Sequence, residues 1–125
     1  GVESEHHNLS HHGRDPKKIA QLKKIETEIV SQFGRLLTQL KAKKEADGSL
    51  LDNTLPLFGS NLGNANAHDP RNLPVFLAGG DFKHGRYIAH DRHDNTPLSN
   101  LFVTMLQDMG IETDKFATST GTLSW

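Results

Sequence analysis

Four histidines stand close together near the start of the chain, in the order His6, His7, His11 and His12. A neutral imidazole is a good ligand for zinc, copper, iron or nickel, and two pairs of imidazoles on either side of a short spacer can converge from a turn. The same residues also suit a polar loop at a partly ordered chain end, in which the imidazoles hydrogen-bond to neighbouring carbonyl groups. The cluster therefore leaves two interpretations open, a divalent-metal site and a polar loop.

A second group of polar side chains lies between Gly59 and Asp69, directly after a short apolar segment. In open α/β sheets, ligands collect beyond the carboxyl ends of the strands, so this position favours a binding loop. The alternative is a turn network in which the asparagine side chains bond to their own backbone. The candidate ligand-binding residues of this loop are Asn61, Asn64 and Asn66.

Two residues of the same loop, Ser60 and His68, are candidates for catalysis. A serine nucleophile needs a base within hydrogen-bonding reach, and His68 or one of the N-terminal histidines is the only type of side chain that suits this role. His68 is also a candidate metal ligand, together with the N-terminal histidines. Spacing alone does not place the hydroxyl and an imidazole within reach of each other.

Basic side chains form a third group, in a loop that also contains histidines and aspartates. Lys83 and Arg86 are candidates to hold an anionic ligand. The alternative is a set of exposed ion pairs, each of which contributes roughly 0 to 1 kcal/mol to stability.

Two helices are predicted to position these groups. Asp15-Pro16 is a typical helix start, and the apolar residues that follow it recur every three or four positions. This long helix is expected to end near Gly48, because glycine supplies a stop. Thr96-Pro97 marks the start of a second helix near the C-terminus, which is expected to end at Gly110.

The apolar segments 54–58 and 73–78 are predicted to be short buried strands, and residues 82–88 a small hairpin. The order helix, strand, loop, strand, helix indicates an α/β layered fold with short, mostly parallel strands. Two strands cannot form a sheet that is covered on both faces. If the sheet is larger, its further strands must come from the remainder of a longer chain or from a second chain.

Bulk composition limits the classes of partner. The chain has 125 residues, the length of one domain, and its formal net charge of -1 gives no electrostatic reason to expect nucleic acid. It contains no cysteine, which excludes disulfides, thiolate metal sites and cysteine nucleophiles. No apolar run approaches the roughly 18 residues of a membrane span, and the first residues are too polar for a signal peptide.

Taken in order, several motifs resemble the uncharacterised bacterial family catalogued as domain of unknown function 1552. The resemblance covers nearly the whole chain. It implies that residues 1–125 are the C-terminal part of a single larger α/β domain in an exported protein, periplasmic or extracellular, commonly with a twin-arginine signal. The motifs that carry it include HHNLSHH at 6–12, DGSLLD at 47–52, GSNLGNANAH at 59–68, KHGR at 83–86, TPLSNL at 96–101 and FATSTG at 116–121.

That family is similar in turn to alkaline phosphatases and sulfatases, in which a strand ends in Ser-Asp-His-Gly and the Asp and His bind metal. The matching frame here reads Ser60-Asn61-Leu62-Gly63, so a neutral amide replaces a charged ligand and one imidazole is absent. The resemblance implies a phosphate- or sulfate-ester hydrolase with an altered metal site, in which the N-terminal histidines and His68 hold zinc, calcium or manganese.

The alternative to a hydrolase is a non-catalytic binding or structural protein of the cell envelope or extracellular space. A homo-oligomer is compatible with either function. In the superfamily, the nucleophile lies near the N-terminus, outside this chain, so the present segment alone is expected to be inactive.

Overall fold

The computed structural model describes residues 1–91, 93–123 and 125. These residues form a mixture of helix and sheet, which agrees with the α/β expectation at that level. The helices are α1 (His6–Ser10), α2 (Pro16–Ala42) and α3 (Leu98–Asp108), and a single 3-10 turn spans Ala65–Ala67. The short helix α1 was not predicted from the sequence.

Both predicted helices are confirmed. The Asp15 carboxylate accepts a hydrogen bond of 2.8 Å from the Lys17 amide, so Asp15 caps the N-terminus of α2 with Pro16 in the first turn. α3 begins directly after Pro97, and its end is followed by Gly110 with φ of 77°, the left-handed conformation that glycine adopts most easily.

α2 ends earlier than predicted, at Ala42, because the chain turns back in a tight hairpin. Strands β1 (Lys44–Glu45) and β2 (Gly48–Ser49) pair antiparallel. Asp52 closes the hairpin, since its carboxylate accepts hydrogen bonds from the Ser49 amide at 2.7 Å and the Ser49 hydroxyl at 2.8 Å. These bonds lower the pKa of Asp52 below its ordinary value.

The other two strands are β3 (Leu57–Gly59) and β4 (Val75–Leu77), which also pair antiparallel, with Phe58 opposite Phe76. The prediction of mostly parallel strands is therefore wrong for the described part of the chain. Parallel pairing needs a crossover connection, usually through a helix, whereas here the chain loops out after β3 and returns beside it with only a single 3-10 turn in between. The predicted hairpin over 82–88 is also wrong, because these residues form no strand.

The core is small. Among the described residues, the buried hydrophobic side chains are Leu9, Leu101 and Val103. A stack of aromatic rings joins α2 to the β3–β4 ribbon, with 5.1 Å between the ring centroids of Phe33 and Phe58. Within the described residues, no helix is both long enough and apolar enough to cross a membrane.

Candidate functional site

The N-terminal half of the site is the helix α1. It packs against α2, and its Leu9 is fully buried, which fixes one face of this short helix. Residues four positions apart lie on the same face of a helical turn, so the His7 and His11 rings meet. Their centroids are 4.7 Å apart in an edge-to-face arrangement. His7 near the start of α1 and His11 directly after it therefore present their imidazoles together on one face.

The other half of the site is the loop that follows β3. It is folded on itself: the Gly63 amide donates to the Asp69 carbonyl at 2.9 Å, and the Asn64 side chain caps the 3-10 turn by accepting from the Ala67 amide at 3.3 Å. A side chain at Gly63 would collide with the carbonyl groups of Arg71 and Asn72, so the loop requires glycine at this position. The close packing of its backbone gives the loop a defined shape without a hydrophobic core.

His68 ends the 3-10 turn in a left-handed conformation, with φ of 50° and ψ of 36°. This region is sparsely populated by residues other than glycine, although histidine, asparagine and aspartate occur there more often than most. Backbone strain of this kind is concentrated at functional sites. Here the left-handed residue is the one whose side chain reaches the N-terminal histidines.

The two halves meet at a pair of imidazoles. The Nε2 atoms of His11 and His68 are 3.2 Å apart, and the ring centroids are 4.7 Å apart with nearly perpendicular planes. Two neutral rings can form this contact as a hydrogen bond if one Nε2 carries the proton and the other accepts it. Two doubly protonated rings cannot, because both Nε2 atoms would then be donors.

Electrostatics at the pair favour the neutral form of His11. Desolvation lowers the pKa of His11 from its ordinary value of 6.5, and the neighbouring His68, His7 and Lys18 lower it further. A neutral imidazole has a free nitrogen lone pair, which is the form that binds a metal ion.

A second contact joins the same two segments. The side-chain oxygen of Asn66 accepts a hydrogen bond of 2.8 Å from the Gly13 amide, and Gly13 is in a left-handed turn with φ of 55°. Asn66 was predicted to bind a ligand, and this bond occupies its Oδ1. The contribution of the Gly13 amide was not predicted from the sequence. The only signal there was a glycine directly after His12, the last of the four N-terminal histidines.

The structure also locates the other predicted N-terminal ligands. His6 is exposed on α1, and His12 lies in the turn after it. The Nδ1 atom of His12 accepts a hydrogen bond of 3.0 Å from the Arg14 amide, so one of its ring nitrogens is engaged locally. Across residues 1–91, 93–123 and 125, no group of three or more histidine, aspartate or glutamate side chains is arranged to hold a metal ion. The histidines that converge are the pair His11 and His68, with the His7 ring packed against His11.

For the remaining candidate residues, the structure records no contact with His11 or His68. The Ser60 hydroxyl donates to the Leu62 carbonyl at 2.8 Å and accepts from the Leu62 amide at 3.1 Å, which ties it into its own loop. Asn61 is exposed. Lys83 and Arg86 are exposed in the segment before α3. The structure thus brings together His7, His11, Asn66 and His68 from the set predicted by sequence.

Comparisons of this chain with protein-family models, with curated proteins and with solved structures found no match.

Proposed function

We propose that this chain contributes a divalent transition-metal site to an exported protein that acts on phosphate or sulfate esters. The observation that carries the proposal is the 3.2 Å separation between the Nε2 atoms of His11 and His68. Two nitrogen ligands of a tetrahedral zinc ion, each about 2.05 Å from the metal, lie about 3.3 Å apart. The contact therefore matches the spacing of two ligands on one ion.

The type of ligand indicates which metal the pair would take. Imidazole nitrogens suit zinc, copper and nickel, whereas calcium and manganese prefer carboxylate, carbonyl and water oxygens. Of zinc, calcium and manganese, zinc therefore fits the His11–His68 pair best. Two side chains leave coordination positions for water, for substrate or for ligands from another segment.

A metal ion bound at this pair would act as a Lewis acid toward an ester oxygen or a bound water. The chain's own residues have separate roles in the proposal. His11 and His68 hold the ion through neutral imidazoles, and His7 packs edge-on against His11 and limits the movement of its ring. The Ser60 hydroxyl is bound to the Leu62 backbone, so we do not assign Ser60 the role of nucleophile.

The reaction class and the location rest on the family resemblance. In the alkaline phosphatase and sulfatase frame, Asn61 and Leu62 stand where metal ligands are expected, and His68 lies a few residues further along the same loop. We propose that His68, paired with His11, replaces the imidazole that Leu62 no longer supplies. Export to the periplasm or the extracellular space belongs to the same proposal.

Zinc binding tests the metal site directly. Isothermal titration of the full chain is expected to give one zinc ion per chain, and His11→Ala and His68→Ala are each expected to weaken binding at least tenfold, because each removes one of two protein ligands. His90→Ala is the matched control, since His90 is an exposed histidine far along the sequence from both segments. Equal affinity in all four proteins, or no binding by the unmodified chain, would refute the site.

A non-catalytic role is the second candidate, and the only partly covered apolar face of α2 favours it. We propose that further helices or strands of the same longer polypeptide cover this face and extend the β3–β4 ribbon, since a two-stranded ribbon is marginally stable by itself. Ile29, Val30 and Leu36 are each at least 40% exposed on that face. If the missing cover belongs to the same polypeptide, residues 1–125 alone should bind a hydrophobic dye strongly and remain monomeric in sedimentation. A stable dimer that excludes the dye would instead assign the face to a second copy.

A further inference from the structure

We propose that Asn66 is a positioning residue, which holds His68 at ligand distance from His11. This inference rests on the proposed metal site. It concerns what sets the distance between the two imidazoles rather than which metal they bind.

The argument begins with the connectivity of the two contacts. The amide of Gly13 lies two residues after His11, and the amide side chain of Asn66 lies two residues before His68. The hydrogen bond between them, at 2.8 Å, and the imidazole contact, at 3.2 Å, therefore join the same two short segments at neighbouring points. Two points of attachment restrict rotation of one segment against the other, which a single contact does not.

The imidazole contact needs this support because the surroundings give little. His68 is exposed, and the neighbouring Asn66 is only half-buried, so packing around the loop side of the pair is sparse. Metal sites require ligand positions within about 0.5 Å of the productive geometry. A charge-neutral hydrogen bond to a backbone amide supplies such a restraint without competing for the metal.

Turn geometry explains why an asparagine is suited to this position. The side chain of Asn66 is short, and it leaves the single 3-10 turn formed by Ala65–Ala67, whose backbone is capped by Asn64. The donor on the other side is a backbone amide held in a left-handed turn at Gly13. Both ends of the bond are thus fixed by local backbone structure, so the bond transmits the position of one segment to the other.

The test uses cobalt as a zinc substitute, because its visible absorption reports the number and geometry of its ligands. Asn66→Leu keeps the approximate size of the side chain but removes the acceptor, and it is expected to weaken cobalt binding 10- to 100-fold, as removal of supporting groups around metal ligands usually does. Asn66→Asp retains an acceptor oxygen and should recover most of the affinity. Asn53→Leu is the matched control, since Asn53 bonds to Glu45 in the β1–β2 region.

Three results would overturn the positioning role. They are unchanged affinity in Asn66→Leu, an equal loss in Asn66→Asp, and an equal loss in Asn53→Leu. If the bulk of leucine disturbs folding, as judged by circular dichroism, Asn66→Ser replaces it, because the shorter hydroxyl should not reach Gly13. Asn66→Ser should then weaken binding as Asn66→Leu was expected to, and unchanged affinity would overturn the role.

A metal-free measurement separates this inference from the proposed function. In the metal-free chain, NMR cross-peaks between ring protons of His11 and His68 should be present, lost in Asn66→Leu and retained in Asn66→Asp. If the unmodified chain binds no cobalt but the cross-peaks follow this pattern, the metal function fails and the positioning role stands. If cobalt binds and the cross-peaks in Asn66→Leu are unchanged, the positioning role fails and the metal site stands.

Discussion

The two long helices share an amphipathic pattern but differ in what covers it. All of α2 is described, and none of its residues is buried. In α3, by contrast, Leu101 and Val103 are buried together with the polar residues Ser99 and Asn100. An apolar stripe in the sequence therefore indicates that a helix has a face to cover, but it does not indicate whether this chain supplies the cover.

α3 obtains its cover partly from the C-terminal tail, which is attached through side-chain hydrogen bonds. The Asn100 carboxamide accepts from the Thr120 amide at 2.9 Å and donates to the Thr120 hydroxyl at 3.2 Å. One turn later, the Thr104 hydroxyl bonds to both the amide and the carbonyl of Leu123. A side chain that satisfies two backbone or hydroxyl groups at once can fix an irregular segment that has no sheet to join.

The largest expected effect is at the buried face of α3. Leu101→Ala should lower the free energy of unfolding by about 2–5 kcal/mol, because Leu101 is only 7% exposed and its removal leaves a cavity. The matched change Leu36→Ala on α2, where leucine is 45% exposed, should stay within about 0.5 kcal/mol. Urea denaturation of both variants measures the difference.

Equal losses for the two leucine variants would break the comparison. They would mean that the apolar face of α2 is covered in solution, for example by a second copy. Measurement at two protein concentrations distinguishes that case, since the stability of an associated chain rises with concentration.

A smaller effect is expected when the tail is released. Asn100→Ala should cost about 1–3 kcal/mol, because it leaves polar groups of the tail without partners at a buried position. The matched variant Gln32→Ala removes an exposed bond to Glu28 on α2 and should change stability by less than about 0.5 kcal/mol. Hydrogen exchange should show faster exchange at the Thr120 and Leu123 amides in Asn100→Ala alone. Protection that persists in Asn100→Ala would show that other contacts hold the tail.

The sequence predicts the helices better than the sheet for a physical reason. A helix is specified by contacts within a few residues, so the cap at Asp15 places the start of α2 and Gly110 places the end of α3. The earlier end of α2, at Ala42, depends on the β1–β2 hairpin that follows it. The pairing of strands depends on where the chain returns after a long loop. The direction of β4 against β3 is set by that return, which no local signal in residues 60–74 reports.

The imidazole site could be anticipated in part. Residue type indicated the histidines and the asparagine-rich loop, and His11 and His68 do meet. The sequence did not indicate which of the four N-terminal histidines would face the loop, since that choice depends on the unpredicted helix α1. Nor did it indicate that Asn66 would bond to the chain itself, because an asparagine in a loop has equal means to bind a ligand or a backbone amide.

The smallest expected effect is a pH dependence confined to the contact between the end of α1 and the loop after β3. Because the pKa of His11 is lowered in the folded chain, the unfolded chain binds more protons below about pH 6.5. The stability linked to neutral His11 is therefore fully present above that pH and is lost as the pH falls through the folded pKa of His11. Asp52, whose pKa is lowered from 3.8, should hold the β1–β2 hairpin until much more acidic conditions.

An NMR titration that lowers the pH from about 8 until both rings are doubly protonated should therefore show loss of the contact between the His11 and His68 rings, because both Nε2 atoms are then donors, while the tail on α3 stays in place. The bonds from Asn100 and Thr104 involve no ionisable group, so the Thr120 and Leu123 amide shifts should stay constant over the same range. His11→Ala should remove the N-terminal transition and leave the tail unchanged. Movement of the tail amides together with the histidine rings would show that the two ends of the molecule respond as one unit, and the contrast between α2 and α3 would then be wrong.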